Sequence, residues 1–242
     1  LQNIIGQNPD FYVTPTSGFL ELVFGARGNY TNSPEFKAQD PEQMKAAFSA
    51  FCREGMRGYY DALTEKKYVM DKSRGWGVYR GFLETFCPNP KIVCMVRDLK
   101  DVVASYEKIY RANQHKQDPI RNDLNATGTT VDKRVMDWMN PQNTIGRAVE
   151  RIYEIIRLGY DHKILFVKYE DLCLYPESTM ISIYNYLDVD YHKHEFAKIE
   201  QITQEDDEIY GLGTGLHVVR NSLTMNPSTA KSVLGSDVTD WL

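Results

Sequence analysis

Apolar and polar positions along the chain fall into short apolar runs separated by longer amphipathic stretches. Leu1, Ile4 and Ile5 share one helical face, and Gly6 stops it. "DFYVTPT" predicts a short strand ended by Pro15. Asp40 caps a long helix with Pro41 in its first turn, and Met44, Phe48, Phe51 or Cys52, and Met56 form its apolar stripe. "KKYVMDKS" predicts a strand, and "GVYRGFLETF" a helix broken by "CPNP". The run from Lys91 to Val96 predicts a buried strand, followed by a helix from about Lys100 to Arg111.

Residues 112–140 are polar and irregular, which predicts a long excursion serving as a lid or binding loop. Pro141 starts the next helix, lined by Ile145, Val149, Ile152 and Ile156 and ended at Gly159. "KILFVKYEDL" predicts another buried strand, and Pro176 opens the helix "PESTMISIYNYL". Beyond about Thr203 the glycine-rich tail predicts mostly loop. No repeat, linker or low-complexity tract interrupts this order, so residues 1–242 are expected to form one domain.

Strands alternating with helices predict an α/β fold, its central parallel sheet covered by helices on both faces. Ligands in such folds sit beyond the carboxyl ends of the strands. Arg97 stands there, where a strand ends and a helix begins. Free backbone N–H groups, the helix dipole and a fixed cation together suit an anion. The competing assignment pairs Arg97 with Asp98 or Asp101.

Composition narrows the picture only slightly. Hydrophobic residues make up 42% and charged residues 25%, as in ordinary globular proteins. A net charge of -5 gives no sign of a general nucleic-acid surface. No apolar run is long enough to span a membrane. Cys52, Cys87, Cys94 and Cys173 have neither zinc-site nor disulfide-framework spacing, so reduced thiols in a cytoplasm are expected.

Three segments together resemble the sulfotransferases that use 3′-phosphoadenosine 5′-phosphosulfate (PAPS), most closely a bacterial or phage-type branch. "VRDLKDVVASYEKIYR" resembles the segment that grips the donor's 3′-phosphate, which implies that role for Arg97 and Ser105. "ILFVKYEDLCLYPESTMISIYNYLDVD" is similar to a later strand–helix unit whose tyrosine lies near the adenine, here Tyr169. "YVMDKSRGW" resembles the segment with a lysine near the transferred sulfonate, here Lys72. The likeness covers roughly residues 1 to 190. It implies a P-loop-like three-layer fold, PAPS as sulfonate donor, no metal, and a small-molecule or carbohydrate acceptor. Neither nucleic acid nor a membrane is an expected partner. The family's Gly/Ser/Thr-rich phosphosulfate loop is expected just before Leu1.

The general base is not fixed by motif. Arg74 stands where the cytosolic branch has a histidine, and "VTPTS" lacks the glutamate of the tyrosylprotein branch. His217, in the tail "GLGTGLHVVRNSL", is the chosen base, with Glu21 and His115 as rivals and Arg220 as a further phosphate contact. His192 and His194 form an H-x-H pair without an evident third ligand, and a solvated pair is expected there. Phe11, Tyr12, Phe19, Phe24 and Tyr30 are expected to shape the acceptor pocket. Two other functions fit the same pattern. A P-loop kinase would need a phosphate-cradling lysine loop and magnesium. A non-catalytic nucleotide-binding protein would bind without turnover.

Overall fold

The computed structural model describes residues 1–113, 128–209 and 217–242. Helix α1 (Gln2–Ile5) leads into strand β1 (Phe11–Thr16), followed by helices α2 (Phe19–Asn32), α3 (Pro34–Lys37) and α4 (Pro41–Asp61). Strand β2 (Tyr68–Lys72) and helix α5 (Arg80–Glu84) come next, then strand β3 (Val93–Val96) and helix α6 (Leu99–Ala112). Helices α7 (Val131–Met139) and α8 (Thr144–Arg157) precede strand β4 (Leu165–Lys168), α9 (Tyr169–Leu174) and α10 (Pro176–Leu187). Helices α11 (Ala230–Leu234) and α12 (Ser236–Trp241) lie near the end.

The expected α/β class is present, with parallel strands flanked by helices. β1 pairs with β2, and β3 with β4. The strands form two separate pairs rather than one continuous sheet. Both pairs contribute to one core, in which Phe11, Val13 and Val167 are buried with Ile4, Ile5, Leu172, Met180, Ile183 and Tyr184. A second core joins Phe19, Leu20 and Val23 of α2 to Cys52, Trp76, Leu83 and Phe86. A third holds Val103, Ala104, Val135, Trp138, Ile145, Ala230 and Leu234.

Local chemistry sets several boundaries. Asp40 caps α4 by accepting the Gln43 N–H at 2.8 Å, and Asp98 caps α6 by accepting the Lys100 N–H at 2.9 Å. Gly159, at φ +68°, follows α8 in the left-handed region. Pro15 does not end β1, as expected, but lies inside it, at a break in register between Val13 and Thr16. Proline is tolerated there because a bulge needs no donor at that residue. Thr14 Oγ1 accepts the Lys72 N–H at 2.8 Å, and the Gln2 amide donates to the Thr14 and Met70 carbonyls across the irregularity.

Other expectations are corrected. α2 lies where no helix was expected, held by its buried Phe19, Leu20 and Val23. The 112–140 excursion contains α7, anchored by Val135 and Trp138; its residues 114–127 lie outside the described residues. α8 starts at Thr144 rather than Pro141 and buries Ile145 and Ile155, leaving Ile156 exposed. The last buried strand stops at Lys168, and "YEDLCL" is helix α9. α11 and α12 replace loop in the tail because Ala230 and Leu234 pack against α6. Phe11 and Phe19 are buried in the cores. His194 is buried rather than solvated, packed among Tyr184, Tyr191 and Phe196. Among the described residues, no helix is long and apolar enough to cross a membrane.

Candidate active site

The carboxyl ends of all four strands carry chemistry, and two groups of side chains assemble there. The first stands at the ends of β3 and β4. Val96 ends β3, Arg97 follows, and Asp98 opens α6; Lys168 ends β4, and Tyr169 opens α9. The Asp98 N–H donates to Glu170 Oε1 at 3.4 Å and ties the two helix starts together. The Arg97 guanidinium carbon sits 4.7 Å from the centre of the Tyr169 ring. Arg220 comes close enough for its charge, like that of Arg97, to act on the Tyr169 hydroxyl. Burial and a bond toward Cys173 push that hydroxyl upward, against the pull of the two arginines.

The structure rejects the competing assignment for Arg97. Asp98 is occupied as the α6 cap, and Asp101 accepts the Ser228 hydroxyl. Arg97 is exposed and makes no ion pair among the described residues. Its donors therefore remain available to a ligand. Ser105 lies about two turns into α6, half-buried, and no hydrogen bond of its hydroxyl is found among the described residues. Thus Arg97 packs against Tyr169 with Arg220 within electrostatic reach, while Ser105 stands farther along α6.

The second group stands at the ends of β1 and β2. Lys72, the last residue of β2, donates to Glu205 Oε1 at 2.6 Å. The same oxygen accepts the Thr16 N–H at 2.9 Å. Glu205 Oε2 lies 3.5 Å from His217 Nε2, and His217 Nδ1 meets Asp207 Oδ1 at 2.5 Å. The His217 N–H also donates to Asp207 Oδ2. Burial raises the Glu205 carboxyl, but its bonds from Lys72 and Thr16 outweigh that and hold it below the ordinary glutamate value. Lys72 and His217 both approach Glu205, so they are linked through carboxylates that the sequence reading missed. Glu205 and Asp207 lie in a tail segment without regular structure, and nothing in their local pattern marks them.

The remaining candidates fall elsewhere. Glu21, on α2, acts on the half-buried Arg151 together with Arg147 and Arg74, so it belongs to a cationic patch. His115 lies outside the described residues. A polar cleft lined by Arg80, Glu84, Lys91 and Lys163 opens near the amino ends of β3 and β4, away from these groups. Among the described residues, no group of three or more His, Cys, Asp or Glu side chains is placed to hold a metal.

Comparison with known proteins adds three findings. Nothing among curated proteins matches the chain. A solved structure, the sulfotransferase domain from the curacin biosynthetic pathway, is similar at 16% identity and a TM-score of 0.38. That likeness covers 86% of this chain and 68% of the other. The family described as the sulfotransferase family matches residues 1–193. With strand-end cations in place and a family match over most of its length, the chain belongs to the sulfotransferase family.

Proposed function

We propose that the protein moves a sulfonate group from PAPS to an acceptor hydroxyl or amine. The observation that supports this most is the packing of Arg97 on Tyr169 at the ends of β3 and β4, with the charge of Arg220 also reaching that tyrosine. An arginine with unpaired donors beside an aromatic ring suits a phosphate next to a purine. Arg97 and Arg220 would hold the 3′-phosphate, Ser105 would add a hydroxyl donor, and Tyr169 would meet the adenine.

When bound, the donor supplies an activated sulfonate, and transfer places charge on the leaving phosphate and the sulfonate oxygens. Lys72 is suited to that charge. Its ammonium has three donors, of which one goes to Glu205, leaving two for a ligand. A cation fixed before reaction stabilises such charge without reorganisation at the critical moment. The acceptor's proton goes to the buried group formed by Glu205, His217 and Asp207.

Transfer of labelled sulfonate from PAPS to a panel of phenols, sugars and amines tests this function. Labelled product, matched by one 3′,5′-phosphoadenosine per turnover and unaffected by a chelator, is expected. Magnesium-dependent phosphate transfer from ATP would identify a kinase instead. Tight nucleotide binding with no transfer to any acceptor would identify a binding protein.

A further inference from the structure

We propose that Glu205 is the catalytic base: its Oε2 accepts the hydrogen bond, and then the proton, of the acceptor's attacking hydroxyl or amine. This rests on the sulfonate-transfer reading above and assigns to Glu205 the role that sequence gave to His217. "VTPTS" at the end of β1 holds no carboxylate of its own. The fold supplies one from the tail, with Glu205 bonded to the Thr16 N–H across 189 positions of sequence. The bulge at Pro15 is the local reason that this can happen. It breaks the register with β2, and the Thr16 N–H is directed to Glu205.

The two carboxylate oxygens of Glu205 differ. Oε1 receives both Lys72 and the Thr16 N–H. Oε2 is buried on a side chain that is 5% exposed and makes no hydrogen bond; the nitrogen that faces it, His217 Nε2, stands off at 3.5 Å. A buried carboxylate oxygen served only by so distant a nitrogen is under-satisfied, and buried polar atoms nearly always have partners. The acceptor's O–H or N–H is a donor that would complete it. Lys72 links this oxygen to the reaction, because one ammonium touches Glu205 and keeps two donors for the sulfonate.

The step balances. The acceptor's lone pair forms the new bond to sulfur, the sulfur–oxygen bond to the phosphate breaks with its electrons staying on that phosphate, and the proton passes to Oε2. The groups facing Glu205 are Lys72 from β2, the Thr16 main chain from β1, and His217 with Asp207 from the tail. The lowered carboxyl value keeps Glu205 ionised at neutral pH. As Lys72 shares its charge with the sulfonate, it returns basicity to the carboxylate. His217, pinned through both Nδ1 and its main chain by Asp207, is a positioning residue.

Glu205→Gln tests the assignment with acceptors of graded acidity. A general base matters most where the acceptor's proton is hardest to lose. The variant should lose about 100-fold in kcat with an unactivated phenol, but less than about 3-fold with 4-nitrophenol. Binding of 3′,5′-phosphoadenosine, read by calorimetry, should stay within about 3-fold of wild type. A second readout needs no turnover. In the complex with 3′,5′-phosphoadenosine, bound 4-nitrophenol should ionise at lower pH in Glu205→Gln than in wild type, because a nearby carboxylate disfavours the phenolate. Should the Gln variant fail to fold, Glu205→Asp keeps the charge, withdraws it by one methylene, and should show a smaller loss with the same dependence on acidity. A uniform loss across acceptors, or an intact kcat with tighter donor binding, would overturn the assignment. So would an acidity-dependent loss in His217→Asn alone. A wild-type protein that transfers nothing from PAPS sinks the sulfonate-transfer reading and this proposal with it.

Discussion

Replacing Arg97 with alanine separates a phosphate site from a surface charge. The guanidinium has no ion pair among the described residues and lies over the Tyr169 ring at 4.7 Å. Its charge-dependent contact within the fold is with the Tyr169 ring at an exposed site, so Arg97→Ala should cost no more than about 1 kcal/mol of stability. Loss of a charge-assisted contact to a phosphate costs about 1.5–3 kcal/mol. That corresponds to roughly 10- to 150-fold weaker binding. Calorimetry with 3′,5′-phosphoadenosine should show this loss, while plain AMP, which lacks the 3′-phosphate, should lose no more than about 3-fold. Arg97→Lys should fall between, because an ammonium keeps the charge but lacks the planar pair of donors. Equal losses for both nucleotides would refute the assignment and leave Arg97 as a partner for Tyr169 alone.

Lys72→Ala should lower kcat more than it raises the donor KM, since its charge acts on oxygens that gain charge during transfer; steady-state kinetics with near-normal kcat would remove it from the site. Glu107 is fully buried on α6 between Arg134 at 2.5 Å and Arg111 at 2.6 Å, so Glu107→Ala leaves a buried guanidinium without its counter-charge and should cost about 3–5 kcal/mol in urea unfolding. His194 is pushed down to about 4 by burial and then by His192. Its contribution to stability is complete above the ordinary histidine value and is lost as pH falls through about 4, for a total of roughly 3 kcal/mol. His194→Gln should flatten the acid limb of the stability profile, and an unchanged limb would show that other groups set it.

The parts of the site that sequence revealed are those set by neighbours in the chain. Arg97 was legible because an apolar strand runs straight into a capped helix, and Lys72 because a short strand ends on it. Tyr169 was placed at the right strand end but in the wrong element. The apolar and polar order of "KYEDL" suits a continuing strand as well as a new helix. α2 was missed because Gly25, Gly28 and Thr31 weaken its local preference. Packing of Phe19, Leu20 and Val23 onto Cys52 and Trp76 overrides that weakness. α7 was missed for a similar reason. Its buried Arg134 reads as a solvent residue until Glu107, 27 positions away, is seen to hold it.

Glu205 belongs to another class, since no window of sequence contains both it and its partners. Lys72 lies 133 positions away and Thr16 lies 189 away. What fixes its place is the path of the tail, and that path begins at α1. Asn3 is buried beside Ile4 and Ile5, and its Oδ1 accepts the N–H groups of both Ile202 and Thr203. Two residues beyond Thr203 the chain reaches Glu205. The legible signal was therefore an asparagine directly preceding the apolar pair Ile4 and Ile5 in a short buried helix, a group that must find partners once buried. Its partners turn out to be main-chain donors of an irregular segment, which needs such acceptors because it has no regular structure to satisfy them. A strand end supplies a cation from local pattern alone. The carboxylate opposite it depends on the whole fold.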